Sequence, residues 1–224
     1  MIKQQKLTLL LVILLMLSFS TTAFATFTTG EGKRTYKIDS FRVDERIRLQ
    51  SFLVGLGIDE QTSLNFKLTI PNDTDEPMDF LIPYQKPGEF FHLGGPILDI
   101  KAQYIPRHRL FVTDSALNAV QVGLKNYRGE YRDEEGRPIE EDRHLDKTYL
   151  VFGVLSRSRW NDHNLFSDLN LAYEPGEEGG WFFDSQVGME FNLKRNFRGQ
   201  IAYRAIGAAG DAKLGFSLGL KVDY

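Results

Sequence analysis

Leu214-Gly215-Phe216-Ser217-Leu218-Gly219-Leu220-Lys221-Val222-Asp223-Tyr224 is the stretch whose reading decides the fold. In steps of two, Leu214, Phe216, Leu218, Leu220, Val222 and Tyr224 make one apolar face. Lys213, Gly215, Ser217, Gly219, Lys221 and Asp223 make a small or polar one. Successive side chains of a strand point to opposite faces, so the alternation predicts a strand with a single apolar side. In a chain that is 42% apolar, a twelve-residue window does this in one register with a chance of about 2 in ten thousand. A soluble protein would bury that face against a second sheet. A barrel in a bilayer turns it to lipid and needs no second layer.

Working back from this strand, the same period recurs. In 181–193, Trp181, Phe183, Val187, Met189, Phe191 and Leu193 lie opposite Asp184, Gln186, Gly188, Glu190 and Asn192, broken only by Ser185. In 197–205, Ile201 and Tyr203 lie opposite Arg198, Gln200 and Arg204. Further strands are predicted over 165–173, 147–156, 117–127, 97–105 and 63–70. The first two strands, 35–43 and 46–58, switch their apolar face part-way, which predicts bulges near Ser40 and Ser51. The total is ten strands, with eight and twelve as alternatives. The connections after Ile58, Ser156 and Leu193 read as short turns, the second over 157–163 and the last over 194–196. Those after Ile70, Tyr127 and Tyr173 read as longer and acidic, and a small loop is expected over 207–211. Long loops are expected near 71–95, which holds four prolines, and near 128–146, the most charged segment. Within the first, Phe80-Leu81-Ile82 and Phe90-Phe91 are placed as a small hairpin above the barrel.

Residues 1–25 read as a cleaved secretory signal: Lys3 and Lys6, an apolar run over 7–19, then Ala23-Phe24-Ala25. Residues 26–224 then form a single domain. Without Lys3 and Lys6, its 25 basic residues face 30 acidic ones, a net charge of about −5 that points away from nucleic acid. There is no cysteine, which excludes disulfides, thiolate metal sites and cysteine nucleophiles. No helix-period segment and no 20–50-residue repeat is found.

The signal ending Ala23-Phe24-Ala25 and the closing pattern Leu214-x-Phe216-x-Leu218-x-Leu220-x-Val222-x-Tyr224 resemble a bacterial outer-membrane β-barrel protein. The resemblance implies a closed antiparallel up-and-down transmembrane β-barrel in the outer membrane of a diderm bacterium. It implies that these six residues, closing on the terminal aromatic, are an assembly signal read by the barrel-assembly machinery. Outer-membrane lipid and lipopolysaccharide would be the surroundings. The role implied is structural or that of a narrow, porin-like pore. An outer-rim enzyme acting on lipid or peptide, or a secreted soluble β-barrel binding protein, are the other classes.

The inward set includes Asp184, Glu190, Arg198, Arg204 and Lys213. One reading is a selective pore lined by Arg198, Arg204 and Lys213. The favoured one is a packed polar core, since charges of both signs pair in a narrow lumen and eight to ten strands leave little room. The histidines His92, His108, His144 and His163 show no spacing that fixes a base and a nucleophile, so no catalytic, cofactor or metal site is assigned. Glu134, Glu135, Glu140 and Glu141 read as a solvated charge run, with a divalent ion bridging to lipopolysaccharide as the functional alternative. Trp160, Trp181, Tyr104, Tyr127, Tyr173 and Tyr203 are expected in interfacial aromatic girdles.

Overall fold

The computed structural model describes residues 30–42, 48–71, 78–81, 90–93, 95–108, 112, 116–132, 145–175, 181–208 and 211–224. Its strands are β1 (Arg34–Arg42), β2 (Arg48–Gly57), β3 (Thr62–Pro71), β4 (Met78–Leu81), β5 (Phe90–Leu93), β6 (Ile97–Tyr104), β7 (Ala116–Arg132), β8 (Leu145–Trp160), β9 (His163–Tyr173), β10 (Trp181–Lys194), β11 (Phe197–Ala208) and β12 (Asp211–Asp223). There is no helix among the described residues.

Ten strands pair in the order β7-β6-β3-β2-β1-β12-β11-β10-β9-β8, and a further β7–β8 ladder closes the ring. Every ladder is antiparallel; β1 meets β12 from Thr35↔Asp223 to Arg42↔Phe216. The closed ring leaves no unpaired edge among its strands, which is what the alternation of β12 requires once its apolar face has no second sheet to cover it. Phe216 and Leu218 stand outward at 66% and 60% exposure, whereas Ser217 and Lys221 point inward at 3% and 2%. The same division runs around the ring, with Ile38, Val122, Phe152, Leu171 and Ile201 exposed outside.

One end of the barrel carries Gly30, Tyr224 and the tight turns β2–β3, β8–β9 and β10–β11; we call it the turn end. Asp59 shapes the first of these: its carboxylate accepts the backbone N–H of Gln61 and of Thr62, each at 2.7 Å. In the second, Asn161 sits at φ 55°, a left-handed conformation for which asparagine is enriched. The opposite end, the loop end, carries the connections whose central residues, 72–77, 133–144 and 176–180, lie outside the described set. A hairpin rises there. β4 pairs with β5 through Phe80↔Phe91 and Leu81↔Phe90, and β5 pairs with the far end of β7 through His92↔Glu130. β4 also comes against β11 and β12, which stand on the opposite side of the ring from β7. The hairpin therefore reaches across the mouth.

The structure corrects several boundaries. Neither Ser40 nor Ser51 is bulged, since the β1–β2 ladder is continuous from Arg34↔Leu56 to Arg42↔Arg48. Phe41 and Leu49 simply point inward, each fully buried. The turn expected over 157–163 shrinks to Asn161-Asp162, because Arg157 to Trp160 continue β8 against β9. The charged loop expected over 128–146 is shortened at both ends by the pairs Arg128↔Asp146 and Gly129↔Leu145. The loop over 207–211 contracts likewise, through Gly207↔Ala212 and Ala208↔Asp211. Tyr127 belongs to the lumen at 1% exposure rather than to an outer girdle, whereas Trp160, Trp181, Tyr104 and Tyr203 face outward. Residues 43–47, between β1 and β2, lie outside the described residues.

Candidate functional site

The inside of the barrel is built in layers, each set by the inward positions of successive strands. Nearest the loop end is an apolar and aromatic layer. Tyr127, Tyr149 and Phe182 pack ring to ring, with centroids 4.4 Å apart for Tyr127–Phe182 and 5.1 Å for Tyr127–Tyr149. Phe41, Leu49 and Ile206 are also fully buried. These are the residues that broke the simple apolar-out alternation of their strands.

Directly beneath lies a belt of charge drawn from six strands. Arg204 on β11 holds Asp184 on β10 in a two-pronged grip, Nε donating to Oδ1 at 2.8 Å and Nη2 to Oδ2 at 2.7 Å. Asp184 Oδ2 also meets Lys125 Nζ of β7 at 3.2 Å and Lys67 Nζ of β3 at 3.6 Å. Lys125 meets Asp99 of β6 at 3.1 Å, and Arg204 Nη1 lies 3.6 Å from Asp39 of β1. The strands carrying Lys125 and Asp99 stand across the ring from the one carrying Arg204, so the belt spans the lumen. Its three carboxylates match its three cations. The guanidinium of Arg204 lies over the Phe41 ring at 5.1 Å, joining the belt to the aromatic layer above.

Nearer the turn end a second cluster gathers on Glu190, which is fully buried. Arg157 Nη2 approaches it at 3.1 Å, Arg198 Nη1 at 3.5 Å and Lys221 Nζ at 3.9 Å, and Gln200 Nε2 donates to it. Arg198 and Lys221 also reach Asp223, each at 3.6 Å, and the Thr35 hydroxyl donates to Asp223 at 2.6 Å. This cluster ties neighbouring strands of one wall, and the Thr35–Asp223 bond crosses the β1–β12 seam.

Of the five lumen residues expected from sequence, Asp184 joins Arg204 and Glu190 joins Arg198. Lys213 lies apart from the belt, half-buried near the loop end beside Ile206 in the ladder. The six apolar residues of 214–224 all lie on the outer face. Sequence reasoning passed over Asp39, Lys125 and Arg157. Lys125 could have been found by parity, since Val120, Val122 and Leu124 face out. Arg157 was lost to the supposed turn, and Asp39 to the supposed bulge.

Between belt and turn end remains a cavity of about 70 Å³, lined by polar side chains including Lys101, Gln103, Gln121 and Asp168. His108 is exposed at the turn end, and His163 opens β9 opposite Trp160. The side chain of His92 and all of His144 lie outside the described set. No three His, Asp or Glu side chains among the described residues are arranged to hold a metal ion. What the lumen offers chemically is pairing: buried opposite charges, held from facing walls.

No protein-family model matches the chain, and none of the curated proteins does. Among solved structures it is similar to the N-terminal β-barrel domain of Pseudomonas aeruginosa OprF, at 10% identity and a TM-score of 0.38, over 88% of this chain and 100% of that one. The barrel itself rests on its own ladders, which return from β8 to β7.

Proposed function

We propose that this protein is an outer-membrane barrel with a structural role, its lumen closed to ions by the belt around Asp184 and Arg204. The observation that carries the reading is the inversion of ordinary packing. Leucine, isoleucine, valine and phenylalanine are exposed around the outer wall, while Arg204, Lys125, Asp99 and Glu190 are at most 2% exposed inside. A water-soluble protein has no reason to turn both sets the wrong way at once, whereas a barrel in hydrocarbon requires an apolar exterior and tolerates a polar interior. Export through residues 1–25 and assembly through the pattern ending at Tyr224 belong to the same proposal, as does placement of the loop end outside the cell.

The belt supports the structural role over the porin-like one. An open channel would leave its lining charges hydrated. Here they are in contact with one another, beneath an aromatic layer. The test is to refold the protein with lipid vesicles and record from planar bilayers. Flotation with the vesicles and an absence of porin-sized conductance steps are expected. A protein that stays in the aqueous fraction without detergent would overturn the membrane reading. Steady ion-selective steps would overturn the closed lumen.

A further inference from the structure

The cavity between the belt and the turn end is unevenly lined. Five cationic side chains, Lys37, Lys67, Lys101, Arg157 and Lys221, face it against two carboxylates, Asp39 and Asp168. The imbalance is not local. The belt is neutral, but the Glu190 cluster sets three cations against two carboxylates, and Lys37 and Lys101 outnumber Asp168. Among the described residues of the belt, the Glu190 cluster and the cavity lining, eight cationic groups thus face six anionic ones. Excess charge of one sign is costly in a closed, poorly hydrated interior.

Lys101 is joined to Asp168 through the Asn170 amide rather than by a direct ion pair. It is 5% exposed. Its Nζ donates to the neutral Oδ1 of Asn170 at 3.0 Å, and no carboxylate is in ion-pair contact with it among the described residues. Two residues along β6 is Gln103, 3% exposed. Its Oε1 accepts from Asn65 Nδ2 at 3.3 Å, which leaves its Nε2 as a buried donor without a partner. Lys101 and Gln103 both point to the same face of β6 and both line the cavity.

We infer that this cavity binds a small monovalent inorganic anion of the chloride class, held chiefly by Lys101 and Gln103. A cavity of about 70 Å³ accepts a monatomic anion with an accompanying water, since liquid water occupies roughly 30 Å³ per molecule. The anion offsets part of the lumen's positive excess and satisfies the Gln103 donor. The inference goes beyond the structural role proposed above. It needs the barrel interior but not the bilayer, so it can stand or fall separately.

The test uses the full chain refolded in detergent micelles. Unfolding is followed in sodium chloride and in sodium gluconate at matched ionic strength, gluconate being too bulky for the cavity. Crystals soaked in sodium bromide supply the position. A ligand that binds only the folded state raises the folding constant about tenfold at a free concentration ninefold above its dissociation constant. Chloride should produce such a saturable rise and gluconate should not, with an anomalous bromide peak beside Lys101 and Gln103. Lys101→Met should remove the chloride-specific part. Should that variant fail to fold, Gln103→Leu should weaken it, and the wild-type salt comparison and bromide map decide the matter alone. Equal stability in the two salts together with no bromide peak would overturn the inference, leaving a cavity that holds only water.

Discussion

Replacing Arg204 by methionine strikes the belt at its centre. The guanidinium is 1% exposed, donates twice to Asp184 and approaches Asp39 at 3.6 Å. Methionine keeps most of the side-chain length and removes the charge. Removing one partner of a buried pair costs about 3–5 kcal/mol, chiefly through the charge left behind. Asp184 is not fully abandoned, because Lys125 at 3.2 Å and Lys67 at 3.6 Å remain. The lower end, about 3 kcal/mol, is therefore expected for Arg204→Met. The double variant with Asp184→Asn should recover part of it, since no carboxylate is then left short of a cation. Urea unfolding of the protein folded in lipid vesicles, followed by the fluorescence of Trp160 and Trp181, measures both. If the single variant lies within about 1 kcal/mol of wild type, water screens the site as it does an exposed ion pair. The closed-lumen argument would then fail.

Three further outcomes follow from other parts of the molecule. Leu218→Arg puts a charge on the outer face near the middle of the apolar band and should cost about 2–4 kcal/mol in bilayers; an unchanged unfolding midpoint there would contradict a lipid-facing β12. Asp59 is held below its ordinary carboxyl value of 3.8 by the N–H groups of Gln61 and Thr62, so its contribution is complete above that value and fades as pH falls through the lowered one. Stability curves of wild type and Asp59→Ala should differ at pH 7, begin to approach one another near pH 3.8, the ordinary value for aspartate, and meet below the lowered one; a gap that persists in strong acid would rule out the ionised carboxylate as its source. Protease added to intact cells should cut between Arg132 and Leu145, at the loop end, and cleavage that occurs only after the outer membrane is opened would reverse the proposed orientation.

How far the chain could be read depended on what each side chain faced. β3, β6, β10 and β12 were legible because their inward residues are polar or small: Asn65, Lys67, Asp99, Lys101, Asp184, Ser217. A period of two then separates the faces by chemistry alone. β1 and β2 were misread because Phe41 and Leu49 also point inward, into the layer that Tyr127, Tyr149 and Phe182 complete. A rule that assigns apolar residues to one face must convert an aromatic floor into a false bulge. Arg157 and Arg128 were assigned to turn and loop because charge was equated with solvent, yet both lie on strands. The pairing of Asp184 with Arg204 was within reach, since β10 and β11 are joined by a tight turn that fixes their register. The reach of Lys125 to Asp184 was not. It depends on the diameter and stagger of the closed ring, which no local pattern encodes.

The seam between β1 and β12 sets a condition on time as well as on space. Thr35 and Asp223 are hydrogen-bonded across 188 positions of sequence, and β1 has only β2 for company until β12 has been made and delivered. Contacts so remote in sequence are slow to form, because the ends of a long tether must find one another before they are rewarded. Throughout that interval the edges of β1 and β12 are open and the leucines of β12 are exposed, the situation in which chains pair wrongly with one another. Closure is therefore late, and β12 acts as the clasp that ends the wait.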